Sequence, residues 1–583
     1  MTPTALDDVP PIHNRTVQKL DFILLPFLCI LFLVNSLDRS NIGNAETAHF
    51  TRDAGLQPED LNAAVAWFFV FFVALQPVGA AAGRKFGMSR WVPTVMTLWG
   101  ICTLLHICVR RRWQLILLRI VLGALEAGFY PTAVSYLSLF YTRFEFGRRL
   151  GLFYGSTGVA GAVGGVIAFT VFSRFPPSEG TDGENMTSSE GLRPWQILFL
   201  VEGLLTLAIA FVGFFWLPRS VGTAWFLNEE ERIWAEKRIL MDRNGPSHQK
   251  QNDDSQETDE PSELIISHSD EQRHRLLPDE PSAVGPRNIS AFSSDSGLSK
   301  SELLSTVLFL PLMIPILVLN VASAIPYTGF SVFLPLVLSS FKLSSPTLSN
   351  LLTAPPFLLA SIFLYIFSHW SDKSRRRFVP ILAGLLIIAL GLVLILLLSS
   401  SSSFSTIRAA ALYFSLCVLL SGSLIPSPLT VAWLAGNIPN PGKRTIILGI
   451  NGYGNLAGVL ASLIFSPRFQ DDGYRIPFLI TLGFVLASFV GFAVLRFVLR
   501  MINIARSKAT VISSAADLET DYSGSERGWS QASIGKVPAF AVVGGTWWDS
   551  QVRYWFGKRV LGMDEDEVYA RRGDEALTFE YGM

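Results

Sequence analysis

The chain alternates long apolar runs with short polar connections. Six runs come first, at residues 22–37, 61–82 and 91–109, then one opening at Arg119, then 150–172 and 195–217. Six more follow at 303–339, 348–370, 378–398, 407–435, 445–466 and 477–499. A helix needs about twenty mostly apolar residues to cross the hydrocarbon of a bilayer. Each run therefore predicts a membrane helix, and the pattern predicts an all-α membrane protein of twelve spans. Pro311, Pro315, Pro326 and Pro335 fall within the seventh run and predict an interrupted helix, which membranes tolerate where it lines a cavity.

Between the two sets of six the pattern changes. Residues 228–243, NEEERIWAEKRILMDR, read as a short amphipathic surface helix. The stretch beyond them, up to about residue 300, is rich in Ser, Asp, Glu, Gln and Pro, the composition of a disordered linker. The expected organisation is a tail over residues 1–20, a six-helix bundle over 21–217, a linker over 218–302, a second six-helix bundle over 303–502 and a tail over 503–583. In that last tail, residues 540–556 hold a Trp pair but are too short and broken to span. The halves also repeat each other. GRKFGMSR at 83–90 follows the second span, and SDKSRRR at 371–377 follows the eighth. Such repetition marks a two-halved transporter.

Charge sets the expected orientation. One set of connections holds Arg84, Lys85 and Arg90, then Arg143, Arg148 and Arg149, then Lys373 and Arg375 to Arg377, then Lys443 and Arg444. The other holds the cluster at Arg110 and scattered arginines. The positive-inside bias then places the first set and both tails in the cytoplasm. Asn185, in Asn-Met-Thr, falls outside and is a glycosylation acceptor, whereas the sequons at Asn14 and Asn288 fall inside and are expected to be silent. No basic region precedes a short apolar stretch, so no cleaved signal peptide is expected.

Composition narrows the chemistry. The chain is 50% hydrophobic and 16% charged, with a mean hydropathy of +0.39. Its 47 basic and 47 acidic residues balance, so nothing points to nucleic acid. The four cysteines lie in apolar runs and the seven histidines are scattered. They suggest no disulfide framework, metal site, cofactor or catalytic constellation.

The stretch 119–151, RIVLGALEAGFYPTAVSYLSLFYTRFEFGRRLG, carries charge at membrane depth. Arg119 and Glu126 are seven residues apart, close to two helical turns, with Gly123 between them and Tyr130 four beyond. A charge in the bilayer interior costs at least a few kcal/mol, so such residues usually face a bundle interior or a watery cavity. Two readings stay open: a cavity-lining pair that handles a proton and an anion, or a structural ion pair. Asp38 and Arg39, at the far end of the first run in LDRSNIGNA, pose the same choice between an interfacial cap and a cavity position. GSTGVAGAVGG at 155–165 lacks the preceding strand of a phosphate loop and reads instead as a stripe for close helix packing.

These motifs resemble those of the major facilitator superfamily, and within it the anion:cation symporter family, most like its fungal allantoate-permease branch. LDRSNIGNA is similar to that family's first-helix signature. RIVLGALEAGFYPTAVSYLSLFY is similar to the fourth, with Arg119, Glu126, Gly128 and Pro131 in place. PWQILFLVEGLLT, LPRS, FLNEEER and SDKSRRR fit as well, over roughly residues 20 to 505. The resemblance implies twelve helices in two pseudo-symmetric six-helix bundles, a central site, and a working monomer, expected in the plasma membrane. It implies Asp38 and Glu126 as proton-coupling carboxylates, Arg39 as anion anchor and Arg119 as the partner that tunes Glu126. Together with helix phase it suggests Asn35, Tyr130, Tyr327, Phe330, Trp433, Asn451 and Asn455 as substrate contacts. Arg84, Lys85, Asp372, Lys373 and Arg377 would form the gating loops, although the first copy lacks the superfamily's usual acidic residue. Phe71 stands where relatives tend to have a tyrosine.

The expected function is proton-coupled import of a small organic anion, such as a vitamin, ureide, carboxylate or peptide-like acid. The alternative is export of a metabolite or drug by proton antiport. Antiporters of the superfamily usually carry Gly-Pro before a spaced Gly-Gly in the fifth helix. Here Ala160-Gly161 precedes Gly164-Gly165, which favours import. A transporter-like receptor or membrane enzyme is the third class, and no residue pattern supports it.

Overall fold

The computed structural model describes residues 11–176, 192–244, 300–341, 345–374, 376–399, 406–438, 441–470, 472–521, 545–564 and 581–582. Among them all regular structure is helical. In the first half, α1 (Pro11–Lys19) leads through a wide turn into α2 (Leu25–Glu46), and α3 (Phe50–Asp53) is a single turn. Then come α4 (Pro58–Ala74), α5 (Gln76–Phe86), α6 (Met88–Leu105) and α7 (Arg112–Glu126). The half ends with α8 (Phe129–Phe140), α9 (Arg143–Arg174) and α10 (Pro194–Trp216). A linker helix, α11 (Glu229–Asn244), follows.

The second half opens with α12 (Lys300–Ser340), α13 (Pro346–Leu351), α14 (Ala354–Ser374) and α15 (Phe378–Ser399). It continues with α16 (Thr406–Ser423), α17 (Pro426–Asn437), α18 (Pro441–Asn451), α19 (Leu456–Ile464) and α20 (Arg475–Asp521), and α21 (Gly545–Val552) lies in the tail. Eleven spans are long and apolar enough to cross a membrane, and the pair α4–α5, bent by 51°, makes a twelfth. Exposed apolar side chains such as Phe211, Phe215, Leu397, Phe414 and Phe497 stand on the outside of the bundle. That suits lipid as the solvent.

Proline content alone does not locate the helix breaks. α12 runs unbroken for 41 residues through all four of its prolines. It packs against α2, α17, α18, α19 and α20, and such enclosure lets neighbours satisfy the backbone groups a proline frees. The bend between α4 and α5 does have a proline cause. Pro77 is the second residue of α5 and cannot donate to the carbonyl of Val73.

The halves meet along three lines: α2 with α12, α4 with α19, and α9 with α13 and α14. At Gly43 the contact is backbone to backbone, since a Cβ there would run into the Val332 carbonyl oxygen. Nearby, Asn62 Nδ2 donates to the carbonyls of Ser462 at 2.6 Å and Phe465 at 2.8 Å, groups left without helical partners where α19 ends. Asn350 Nδ2 donates to Thr47 Oγ1 at 2.8 Å. Thr47 closes α2, Asn62 opens α4 and Phe465 ends α19, so these bonds lie at the end of the molecule remote from the tails. The structure is closed there. Gly158, Gly161 and Gly165 sit against Ser361, Phe357 and Thr353, so the glycine stripe serves helix packing. Gly43→Val is expected to lower the unfolding temperature of the purified protein by several degrees, because overpacking typically costs about 1–3 kcal/mol. Differential scanning fluorimetry in detergent checks this, and an unchanged value would refute the close crossing.

Candidate functional site

The helix of the first span does not stop at Leu37. It continues through Asp38 and Arg39 to Glu46, because nothing in SLDRSNIGNAE breaks it. This carries both charges to the middle of the bundle. Asp38 is 2% exposed. Its carboxylate accepts three bonds: from Trp99 Nε1 at 3.0 Å, Thr103 Oγ1 at 3.2 Å and Thr206 Oγ1 at 3.1 Å. Asp38 thereby ties α2 to α6 and α10.

Arg39 points the other way. Its Nη2 lies 3.3 Å from Glu126 Oε2 and 3.2 Å from Asn35 Oδ1. The guanidinium also lies 4.7 Å from the centre of the Phe72 ring and 5.7 Å from that of Phe68. Glu126, the last residue of α7, is fully buried, while the Arg39 side chain keeps 20% of its exposure. A guanidinium held between a carboxylate and aromatic faces, and still reached by solvent, is equipped to bind a carboxylate-bearing ligand.

Arg119 is buried on the same side of α7. It does not bond Glu126 directly: among the described residues the ion pair to Glu126 is that of Arg39. Tyr130 is not on a continuous stripe with Glu126 either, because α7 and α8 part at Ala127–Gly128, where Gly128 meets Gly79 backbone to backbone. Its ring stands with Phe32, Phe153 and Tyr154, at centroid distances of 5.7, 6.4 and 6.0 Å. Tyr154 and Tyr327 pack on the same group, Ala360, Leu364 and Leu424. Asn35, Arg39, Glu126, Tyr130 and Tyr327 thus form one neighbourhood, with Asp38 on the opposite side of α2 against α6 and α10.

The other expected contacts are placed differently. Phe330 is fully buried against Phe465 and Phe478, at 5.4 and 6.1 Å, which is core packing. Asn451 accepts from Asn320 Nδ2 at 3.3 Å, and Asn455 caps its own turn on the Gly452 carbonyl at 2.9 Å. Trp433 gives its indole N–H to the carbonyl of Gly582, in the tail, at 2.6 Å. In the connecting loops, Arg377 pairs with Asp372, while Lys85 and Lys373 are exposed. The Arg84 side chain and the sequon at Asn185 lie outside the described residues.

Three residues beside Asp38, namely Trp99, Thr103 and Thr206, escape a reading of the sequence that follows charge alone, whereas Glu202 is a charge within the sixth apolar run. Trp99 and Thr103 are four apart on α6, and Glu202 and Thr206 are four apart on α10. Polar positions at helical spacing inside an apolar run are the signal that finds them. Glu202 is buried with neither carboxylate oxygen hydrogen-bonded among the described residues.

Residues 28–313 match the family model described as Major Facilitator Superfamily. An uncharacterised transporter of Schizosaccharomyces pombe is 29% identical over 81% of this chain and 80% of its own length. The high-affinity nicotinic acid transporter of Saccharomyces cerevisiae is 26% identical over 80% of this chain and 74% of its own. Among solved structures, a D-xylose-proton symporter superposes with a TM-score of 0.53 over 80% of this chain and 96% of that one, at 12% identity, a likeness of fold. The named relatives are transporters, not enzymes, as are members of the superfamily. This chain is a multi-pass membrane protein with the major facilitator fold, and over residues 28–313 its sequence is similar to the Major Facilitator Superfamily.

Proposed function

We propose that the chain moves a small organic anion together with protons, by alternating access, toward the end that carries its tails. The carrying observation is the Arg39–Glu126 pair, 3.3 Å apart, with the base partly open and the acid closed off. An anion that takes Arg39 competes with Glu126 for the guanidinium charge. A buried carboxylate stripped of its partner costs about 3–5 kcal/mol, unless it takes up a proton. Anion binding and protonation then favour one another, which is coupling in the thermodynamic sense. Asp38, held by three donors, keeps α2 fixed on α6 and α10 while this exchange occurs, and is the second candidate proton carrier.

The aromatic walls, Phe68, Phe72, Tyr130 and Tyr154, favour a flat acid with an apolar part. Nicotinic acid, the cargo named for one relative, is of that kind. The basic connections support cytoplasmic tails, Ala160-Gly161 in place of Gly-Pro before Gly164-Gly165 supports import, and we place the protein in the plasma membrane as a monomer. The test is uptake into proteoliposomes under an inward proton gradient, with labelled nicotinate first in a panel of organic acids. Accumulation that a protonophore collapses is expected. Uptake that only equilibrates would refute the coupling. Loading in the opposite sense would make the chain an exporter.

A further inference from the structure

Two spans are broken in their middles, at corresponding places in the two halves. α7 gives way to α8 at Ala127–Gly128, and α16 gives way to α17 at Leu424–Ile425. Pro426 opens α17 and cannot donate to the Gly422 carbonyl, which instead accepts from Ile425 N–H in a tightened turn. The far ends of α8 and α17 both lie at the end opposite the closed one, and each is held by a segment from outside the spans.

For α8 the holder is the linker. Arg238 of α11 donates to the Phe140 carbonyl at 2.6 Å and to both carboxylate oxygens of Glu145, at 2.9 and 3.0 Å, and the Tyr136 hydroxyl donates to the Pro218 carbonyl at 2.7 Å. For α17 the holder is the tail. Trp433 Nε1 donates to the Gly582 carbonyl at 2.6 Å, and Gly582 N–H donates to Asn437 Oδ1 at 2.7 Å. Trp433 and Asn437 are four apart, so one face of α17 presents both.

The preceding tail residue grips a second helix. Tyr581 N–H donates to Asn503 Oδ1 at 3.0 Å, and Asn503 Nδ2 donates to the Tyr581 carbonyl at 2.9 Å, an amide copying the two-bond pairing of a strand neighbour. The Tyr581 ring is 2% exposed and lies 5.0 Å from the Arg506 guanidinium on α20. Four directed hydrogen bonds on two adjacent residues form a specific dock. Farther back, Val552 and Met563 of the tail pack on Leu304 and Leu308 of α12, a separate anchor at the same end.

We propose that Tyr581–Gly582 is a clasp that holds the hinged half-helix α17 against α20, and that releasing it is part of the movement that closes the tail end. The reasoning borrows from the proposed function only the alternation of access, not the cargo or the proton. With the far end closed by Asn62 and Asn350, alternation of access has the tail end close in turn, and the breaks before α8 and α17 are where those two half-helices can swing. The tail bonds oppose that movement on the α17 side.

The test needs no substrate, so it stands if the assignment of cargo fails. Spin labels go on Ser138→Cys in α8 and Gly436→Cys in α17, both exposed, in the full chain with Cys108→Ser, in lipid nanodiscs. Distances are read by pulsed electron resonance. In Gly582→Pro, which removes the donor to Asn437, and in Asn503→Ala, the minor, shorter-distance population is expected to grow about fivefold over the parent. A distribution unchanged in both variants would overturn the proposal. Should Gly582→Pro misfold, the pair Asn437→Cys with Gly582→Cys replaces it, since a Cβ on Gly582 would lie 3.6 Å from the Asn437 side chain. Oxidation is then expected to slow amide exchange across residues 426–437 and reduction to restore it. Equal exchange in the two states would overturn the clasp.

Discussion

Arg39→Ala is expected to remove anion accumulation, with a loss in uptake of about a hundredfold or more, the worth of a bidentate, charge-assisted pair. The variant also strands Glu126, a fully buried carboxylate whose ion pair is Arg39. It should therefore be less stable than the parent, and lost uptake alone would not separate binding from folding. The double variant Arg39→Ala with Glu126→Gln separates them. Removing both charges is expected to return most of the stability and none of the uptake. Arg39→Lys keeps the charge but loses the fork, and is expected to retain less than about a tenth of the activity. Labelled nicotinate uptake and thermal denaturation of the same preparations are the two measurements. Parent-like uptake in Arg39→Ala would exclude Arg39 as the anchor.

Glu126→Gln is expected to split two activities that the parent performs together. Glutamine keeps a carbonyl oxygen for Arg39 and nearly the same volume, so the site remains assembled. It cannot take or release a proton. Exchange of labelled for unlabelled anion across the membrane, with no gradient, should stay within about threefold of the parent. Accumulation against a gradient should disappear, and the dependence of uptake on pH should flatten. If accumulation persists, the proton is carried elsewhere, and Asp38 and the buried Glu202 become the candidates.

The membrane helices were legible in the sequence because the cost of unpaired backbone groups in hydrocarbon leaves a spanning segment few alternatives. Composition alone therefore located them, and the polar linker between the two sets marked the halves. The site was legible only in part. Arg119 and Glu126 fall on one face at the predicted spacing, and both are buried. Their partners could not be read along the chain. Glu126 pairs with Arg39, 87 residues away, and Asp38 is held by Thr206, 168 residues away. Those contacts depend on how α2, α6, α7 and α10 rotate against one another.

Helix breaks show the same division. Proline count predicted an interruption in α12, which is continuous, while the fourth span breaks where Pro131 leaves the Ala127 carbonyl without a helical donor and the tenth where Pro426 opens α17. A proline's missing bond matters only where no neighbour supplies enclosure, and enclosure is a tertiary property. The sequence by itself determined the solvent, the number of spans, the two-fold repetition and the charges placed at membrane depth. These follow from transfer free energies and chain-local geometry. Only the tertiary structure decided which acid meets which base, which end is closed, and that Trp433 serves the tail, because each depends on residues far apart in the chain being packed side by side.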